Sequence, residues 1–392
     1  MNRKLGPTGA LIVLVLATLA GCGGGGSGST SASAPARDNS TTAPPPNSSI
    51  GQPQPSNVAG FVYVANARSA NISTYSIDAT TGALTSIGAP VPTGVHPDSI
   101  AVDPSGRFAY VANYGDNTVS AYTIDPATGV FTSVGAAVTA GAAGNIPLCV
   151  TVDSLGKFVY VANWSDSTVS TFAINPATGA LDRVGEPVAA GHGADWVAVD
   201  PSGRFAYVTN YWERSVSAFT INATTGALTS MGTAVQAGSI PESVTVDPSG
   251  KFAYVANLND NNVSAYTIDA TGSLSSIGTA SAGTEPVLVT VHPSGKFAYV
   301  VNFGSENVSA YTIDSTTGAL SEIAGSPFAT GGGPTSITID LSGKFAYVTN
   351  TADSNISAYA LNTATGAMSE ITGSPFAAAD GPVSITTMSA AH

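Results

Sequence analysis

From Val58 onward, apolar and polar positions alternate with a period of two in runs of four to seven residues, and Gly, Pro, Asp or Asn closes each run. This pattern predicts short, half-buried β-strands joined by tight turns. In the stretch starting at Glu242, Ser-Val-Thr-Val (243–246) is a first strand and Asp-Pro-Ser-Gly (247–250) a turn. Residues 252–257 and 263–269 form the second and third strands, and 274–277 a fourth. No 3.6-residue apolar stripe competes with this reading. The stretch recurs. Tyr-Val-x-Asn begins at Tyr63, Tyr110, Tyr160, Tyr207, Tyr254, Tyr299 and Tyr347, with spacings of 47, 50, 47, 47, 45 and 48 residues. Seven four-stranded units at this period predict a β-propeller.

The ends of the repeat array sharpen the expectation. The first unit begins at its second strand (61–66), and the chain finishes with a first strand, Pro-Val-Ser-Ile-Thr-Thr (382–387), that has no second. Pairing the two closes the ring and removes both sheet edges. The expected fold is therefore all-β: a seven-bladed β-propeller of four antiparallel strands per blade, closed by the C-terminal strand joining the N-terminal blade. With Asp-Pro-Ser-Gly-Lys/Arg before and Thr-Gly-Ala-Leu after, the Tyr-Val-x-Asn units resemble the YVTN-type β-propeller repeat. That family is related to the seven-bladed lactonases typified by 6-phosphogluconolactonase. The resemblance covers about residues 58–392 and implies the fold; activity has to be argued from the site.

The N-terminus changes the expected location. A basic start (Arg3, Lys4) and an apolar run (10–19) lead into Leu19-Ala20-Gly21-Cys22, which resembles a bacterial lipobox. Residues 1–21 are expected to be a lipoprotein signal peptide. Residues 22–57 are expected to be a lipidated Cys22 followed by a disordered Gly/Ser/Pro-rich linker, and 58–392 the propeller. These features point to an exported lipoprotein of the cell envelope, in the outer membrane, held to the membrane through the lipid on Cys22. Charged residues make up only 9% of the 392, and 12 basic against 25 acidic side chains give a net charge of −13. An acidic chain of this kind argues against nucleic-acid binding. The closed ring points to a monomeric propeller, and no cofactor motif is present.

Residues common to all units most simply serve the scaffold. The seven repeat Asn residues are expected to cap loops through side-chain-to-backbone hydrogen bonds. The variable face carries the loops between second and third strands and those joining blades, and function is expected there. The residue after each repeat Asn is Ala67, Tyr114, Trp164, Tyr211, Leu258, Phe303 or Thr351. With Trp212, these suggest an aromatic arc suited to stacking or anchoring, in which Tyr114, Trp164, Tyr211, Trp212, Phe303, Trp196 and Arg214 are the candidate binding residues. Residues at the start of each first strand (Asp98, Leu148, Asp195, Glu242, Val287, Thr335, Val383) make the mouth acidic. His96, Asp98, His192 and Asp195 are candidate ligands for a divalent metal.

The lactonase resemblance implies Pro-Arg-His-type segments at inner strands. Pro recurs here at 97, 147, 241, 286, 334 and 382, but no Arg follows it. A phosphorylated lactone would lack a cationic partner. On these grounds the sequence favours a protein- or glycan-binding module of the envelope. The alternative is a lactone hydrolase with His192, Asp195 or Glu242 as general base. A purely structural surface protein is the third possibility.

Overall fold

The computed structural model describes residues 57–141 and 145–390. The expected signal peptide, the lipidation site Cys22 and all of the linker but Asn57 lie outside the described residues. Among the described residues every regular element is a strand. They form seven antiparallel sheets arranged as blades, each ordered inner, second, third and outer strand. In blade five these are Pro241–Val246, Phe252–Asn257, Asn262–Ile268 and Leu274–Ser281. The alternating pattern thus placed the elements correctly and missed their ends by up to four residues. In the other six blades the outer strand breaks into two short pieces, as in Leu228–Ser230 and Val235–Gln236 of blade four. Blade five has one residue fewer between Leu274 and Gly283 than blade four has between Leu228 and Gly238, and its outer strand runs unbroken.

Closure follows the sequence expectation. Pro382–Ser389 pairs antiparallel with Val58–Asn66, with Tyr63 opposite Thr386 and Val64 opposite Ile385. The C-terminal strand is therefore the inner strand of blade one.

Blades are held together at the underside by a repeated lock. A Tyr hydroxyl on each second strand donates to the carbonyl of the Gly in the next blade's Thr-Gly turn. The pairs run from Tyr110 to Gly179 (3.1 Å) round to Tyr299 and Gly366 (2.9 Å). Tyr347 to Gly82 (2.9 Å) completes the series across the closure. These turns require Gly. Gly82 has φ +73°, and a Cβ there would lie 2.3 Å from the Phe345 ring. Tyr63 breaks the series, because its buried hydroxyl has no partner. Phe131, where other blades carry Leu or Met, packs 4.5 Å from the Tyr63 ring in this seam. The two tyrosines should therefore respond oppositely. Tyr347→Phe is expected to lower stability by about 1 kcal/mol. Tyr63→Phe, which removes an unpaired buried hydroxyl, is expected to leave stability unchanged or raise it by up to about 1 kcal/mol. Denaturant midpoints of the two variants check this.

The repeat Asn residues are fully buried and structural, and besides bonding loop backbone they bond side chains of the third strand. The Asn113 amide donates to Ser120 Oγ (2.8 Å) and Thr118 Oγ1 (3.0 Å) on the third strand, and its oxygen accepts from Gly94 N. In the Asp-Pro-Ser-Gly turns the Asp carboxylate accepts three backbone N–H groups; for Asp247 these come from Ser249 (3.0 Å), Lys251 (2.9 Å) and Phe252 (2.8 Å). His292 replaces Asp at one such turn. Its Nδ1 accepts from Ser294 N and its Nε2 donates to Gly343 O, which fixes one neutral tautomer in a scaffold role.

Candidate functional site at the acidic channel mouth

The mouth is shaped by one device repeated seven times. Each inner strand carries a β-bulge just after it starts, shown by register breaks between Pro97 and Ser99, Pro147 and Cys149, Ala194 and Val197, and at the equivalent places elsewhere. A bulge sets two residues against one and re-aims their side chains. The extra residue is Asp98, Leu148, Asp195, Glu242, Val287, Thr335 or Val383, the set the sequence placed at the rim. Immediately upstream, the chain takes a left-handed conformation in every blade: His96, Ile146, Gly193, Ile240, Glu285, Gly333 and Gly381 all have φ between +49° and +77°. For β-branched Ile146 and Ile240 this is strained. The conformation aims each carbonyl at the backbone N–H that follows the repeat Asn, as in Tyr114 to His96 (2.9 Å) and Tyr211 to Gly193 (2.9 Å). The mouth-lining strand and the variable loop of one blade are thereby fixed to each other.

Three carboxylic acids meet in this mouth. Asp195 and Glu242 are buried, and Asp98 is half-buried. Burial holds the Asp195 carboxyl well above the usual range, and the neighbouring charges of Glu242 and then Asp98 raise it further. Burial pushes Asp98 up to about 7. The same acids act on their surroundings. Cys149, buried between blades three and four, is pushed up to about 12, first by burial and in smaller part by Asp195 and Asp98. Tyr114 is raised by burial and by Asp98. With Asp98 raised to about 7 beside an Asp195 held above its ordinary value, the mouth offers both proton donation and proton abstraction near neutral pH.

A stability consequence follows. The folded-state value of Asp98 lies above the unfolded one of about 3.9. Its contribution to stability is full below pH 4, falls as pH rises towards 7, and is flat above. Asp98→Asn should flatten the stability profile between pH 4 and 7 and raise stability at pH 7.5 by about 2 kcal/mol, half of the dry-site value because the mouth is open to solvent. Thermal unfolding at four pH values measures it.

The aromatic residues do not form the expected continuous arc. Tyr211 and Leu258 are only 5% and 1% exposed, and Phe303 packs on the core shared by blades six and seven. Trp164, Tyr211, Trp212 and His192 instead gather into one cluster over Gly193, with Tyr211 and Trp212 ring centroids 4.6 Å apart and Trp164 6.1 Å from Trp212. Tyr114 stands apart with His96 at 6.3 Å. Only Trp212 is widely open, at 42%. Trp196 is partly buried and packs against the core clusters beside it. His192 and Arg214 are exposed at the rim, outside the carboxyl cluster. Among the described residues no group of three or more His, Cys, Asp or Glu is placed to hold a metal ion, so His96, Asp98, His192 and Asp195 do not converge as ligands.

A recess of about 500 Å³ opens on the opposite face at the closure, lined by Gly60, Asp340, Leu341, Lys344 and Met388 among others. Its one carboxylate, on Asp340, is already engaged by the Lys344 and Phe345 backbone N–H groups. The mouth, with its unusual protonation, is the better site.

Residues 93–197, 189–291 and 288–390 each match the family described as Lactonase, 7-bladed beta-propeller. Similar solved structures include candidate 6-phosphogluconolactonases from Bacteroides uniformis (TM-score 0.76, 22% identity, 84% of this chain and 99% of that one) and Bacteroides fragilis (0.76, 23%, 86% and 100%). The periplasmic gluconolactonase PpgL of Pseudomonas aeruginosa is another (0.71, 18%, 85% and 99%). At these identities the likeness is one of fold. No curated protein matches the chain. The family match overturns the expectation of a protein- or glycan-binding module. Physically, that expectation failed because it rested on an aromatic arc that is partly buried, and because it took the missing Arg-His segments to mean missing chemistry.

Proposed function

Because the chain belongs to the seven-bladed β-propeller lactonase family, we propose that it hydrolyses a lactone at the acidic mouth, using Asp195 and Glu242 with Asp98 beside them. The observation that carries this reading is the buried carboxyl cluster, in which burial, and then the charges of Glu242 and Asp98, hold the Asp195 carboxyl well above the usual range. Glu242 takes a proton from water as the water oxygen attacks the lactone carbonyl. The ring C–O bond then breaks, and protonated Asp195 supplies the proton for the leaving alkoxide. The product is a hydroxy acid that ionises on release.

Charge selects the substrate. An uncharged or cationic lactone enters an acidic mouth without penalty, and the anionic product is repelled from it. A phosphorylated lactone would meet carboxyls where it needs charge-assisted donors, and among the described residues the variable face supplies as cations only Arg68, engaged with Asp380 at 3.0 Å, and Arg214. Turnover of a panel of neutral, cationic and phosphorylated lactones by the purified protein tests the reading. Export and lipidation at Cys22 belong to the same proposal, supported by the Leu-Ala-Gly-Cys motif. Cys22→Ser is expected to abolish labelling by a palmitate analogue and release the protein from the membrane fraction.

A further inference from the structure

Asn57, where the described chain begins, donates through its side-chain amide to Asp78 (3.0 Å) and Thr80 (3.2 Å) in the Thr-Gly turn of blade one. It also lines the recess at the closure together with Leu341 and Lys344. The chain therefore joins the propeller on the underside, the face away from the mouth. Two underside turns depart from Asp-Pro-Ser-Gly by carrying a leucine: Leu155 in Asp-Ser-Leu-Gly of blade three and Leu341 in Asp-Leu-Ser-Gly of blade seven. They are 62% and 66% exposed, more open than any other large hydrophobic side chain among the described residues. Val130, following the Thr-Gly turn of blade two, is a third exposed apolar residue on this face. Blades three and seven stand nearly opposite each other in the ring. Both leucines therefore meet a flat surface together only when the underside lies face-on to it.

Charge is divided along the same axis. Six of the nine Lys and Arg among the described residues, Arg107, Lys157, Arg204, Lys251, Lys296 and Lys344, are exposed in the turns between inner and second strands. The acids of these turns are buried and engaged by backbone N–H groups, as Asp340 is by those of Lys344 and Phe345. The exposed acids of the Thr-Gly turns are bent back in the same way. Asp314 accepts from Thr316 N (2.9 Å) and Thr317 N (2.8 Å). The lysines, on longer stems, reach past them. The loops of the mouth face carry Asp116, Glu213, Asp260, Glu306 and Asp353 against Arg68 and Arg214. A surface of lipid phosphates repels that face far more than the underside.

We propose that the underside rests on the phospholipid surface to which Cys22 is anchored, with Leu155 and Leu341 entering the headgroup layer, so that the mouth opens away from the membrane. The anchor rests on the lipidation reading above; the choice of face does not. On the linker expected from the sequence, the thirty-four residues between Cys22 and Asn57 span about 30 Å. That length keeps the propeller near the surface without fixing its orientation, so the propeller's own side chains decide which face docks. Lys157 and Lys344 follow the two leucines by two and three residues, placed to meet lipid phosphates as the leucines go under. Two leucines bury too little apolar surface to hold a domain unaided, so the docking is reversible and depends on the tether. A soluble substrate then reaches the mouth from the aqueous side.

The experiment couples the chain from residue 22 onward, through the Cys22 thiol, to a maleimide-bearing lipid in phosphatidylethanolamine–phosphatidylglycerol vesicles, which dispenses with natural acylation. Cys149 is buried and does not compete. Diethyl pyrocarbonate, which modifies both amines and imidazoles, is applied to the coupled and the free chain, and each site is read by mass spectrometry. Lys157 and Lys344 should lose about threefold or more in reactivity on the vesicles, while His96 and His192 at the mouth stay within about 1.5-fold. Leu155→Ser combined with Leu341→Pro, each the residue most other blades carry there, should return both lysines to their free-chain reactivity. Equal reactivity on and off the vesicles, protection of the histidines instead, or protection that survives the double variant overturns the docking. Protected lysines in a protein that takes up no palmitate analogue in cells would keep the docking face and remove the natural anchor. Palmitate uptake with unprotected lysines would do the reverse.

Discussion

Stopping the chain after Gly381 abolishes cooperative unfolding and sends the protein into aggregates. The truncation removes the inner strand of blade one, Pro382–Ser389, and with it the whole ladder to Val58–Asn66. It strips cover from Phe61, Tyr63 and Val64, all fully buried, and deletes Ile385 and Met388, which are 6% exposed in the cores on either side of the closure. Burying one such side chain contributes about 2 kcal/mol, so losing two and baring three costs about 10 kcal/mol, comparable to the whole 5–15 kcal/mol by which a domain is stable. The exposed edge of Val58–Asn66 is long and apolar, which makes it a template for pairing with other chains. Circular dichroism melts and sedimentation of the truncated chain measure both effects. Adding the strand back as a synthetic peptide of residues 382–390 should partly restore the transition, because the rest of blade one is intact.

Asp195→Asn lowers kcat by roughly 10²–10⁴-fold while leaving the protein at least as stable. The amide is close in shape, but it neither donates the carboxyl proton nor shares one with Glu242. Stability should hold or rise because the raised proton affinity of Asp195 marks it as a buried acid whose ionised form is penalised by burial and by like charge. That combination, activity lost and stability kept, separates a role in chemistry from a role in packing. Rim variants give the contrast. Trp212→Ala, in an exposed ring outside the carboxyl cluster, should change kcat less than threefold if the chemistry sits among the acids.

The architecture was legible because one unit recurs. The Tyr-Val-x-Asn spacing, the period-two strands and the complementary ends determine blade number and closure without any knowledge of contacts. The site was legible only in its address. Asp98, Asp195 and Glu242 could be named as rim residues from their place after the recurrent turn, but they lie 97 and 47 residues apart in the chain. Their convergence depends on a bulge whose inserted position has no residue signature: it is Leu or Val in three blades. Trp196, next to Asp195, occupies a position elsewhere given to Ser, Cys or Leu, a departure from the repeat that is legible in the sequence. The aromatic positions misled for a related reason. Five large residues at one repeat position look equivalent in sequence, yet Tyr211 and Leu258 are buried while Tyr114, Trp164 and Phe303 are half-open, because exposure is set by the neighbouring blade. The repeat Asn residues were correctly placed in the scaffold, with side-chain partners on the third strand that spacing does not reveal.

The most direct test of the functional claim is a pH-stat measurement of acid release by the purified wild-type protein and by Asp195→Asn. Both are given an uncharged sugar δ-lactone and, separately, its phosphorylated counterpart, above the rate of spontaneous ring opening. Hydrolysis of the uncharged lactone by the wild type, little or none of the phosphorylated one, and loss of both in Asp195→Asn is the expected result. Faster turnover of the phosphorylated lactone, or full activity in Asp195→Asn, would contradict a reaction run by the buried acids of the mouth.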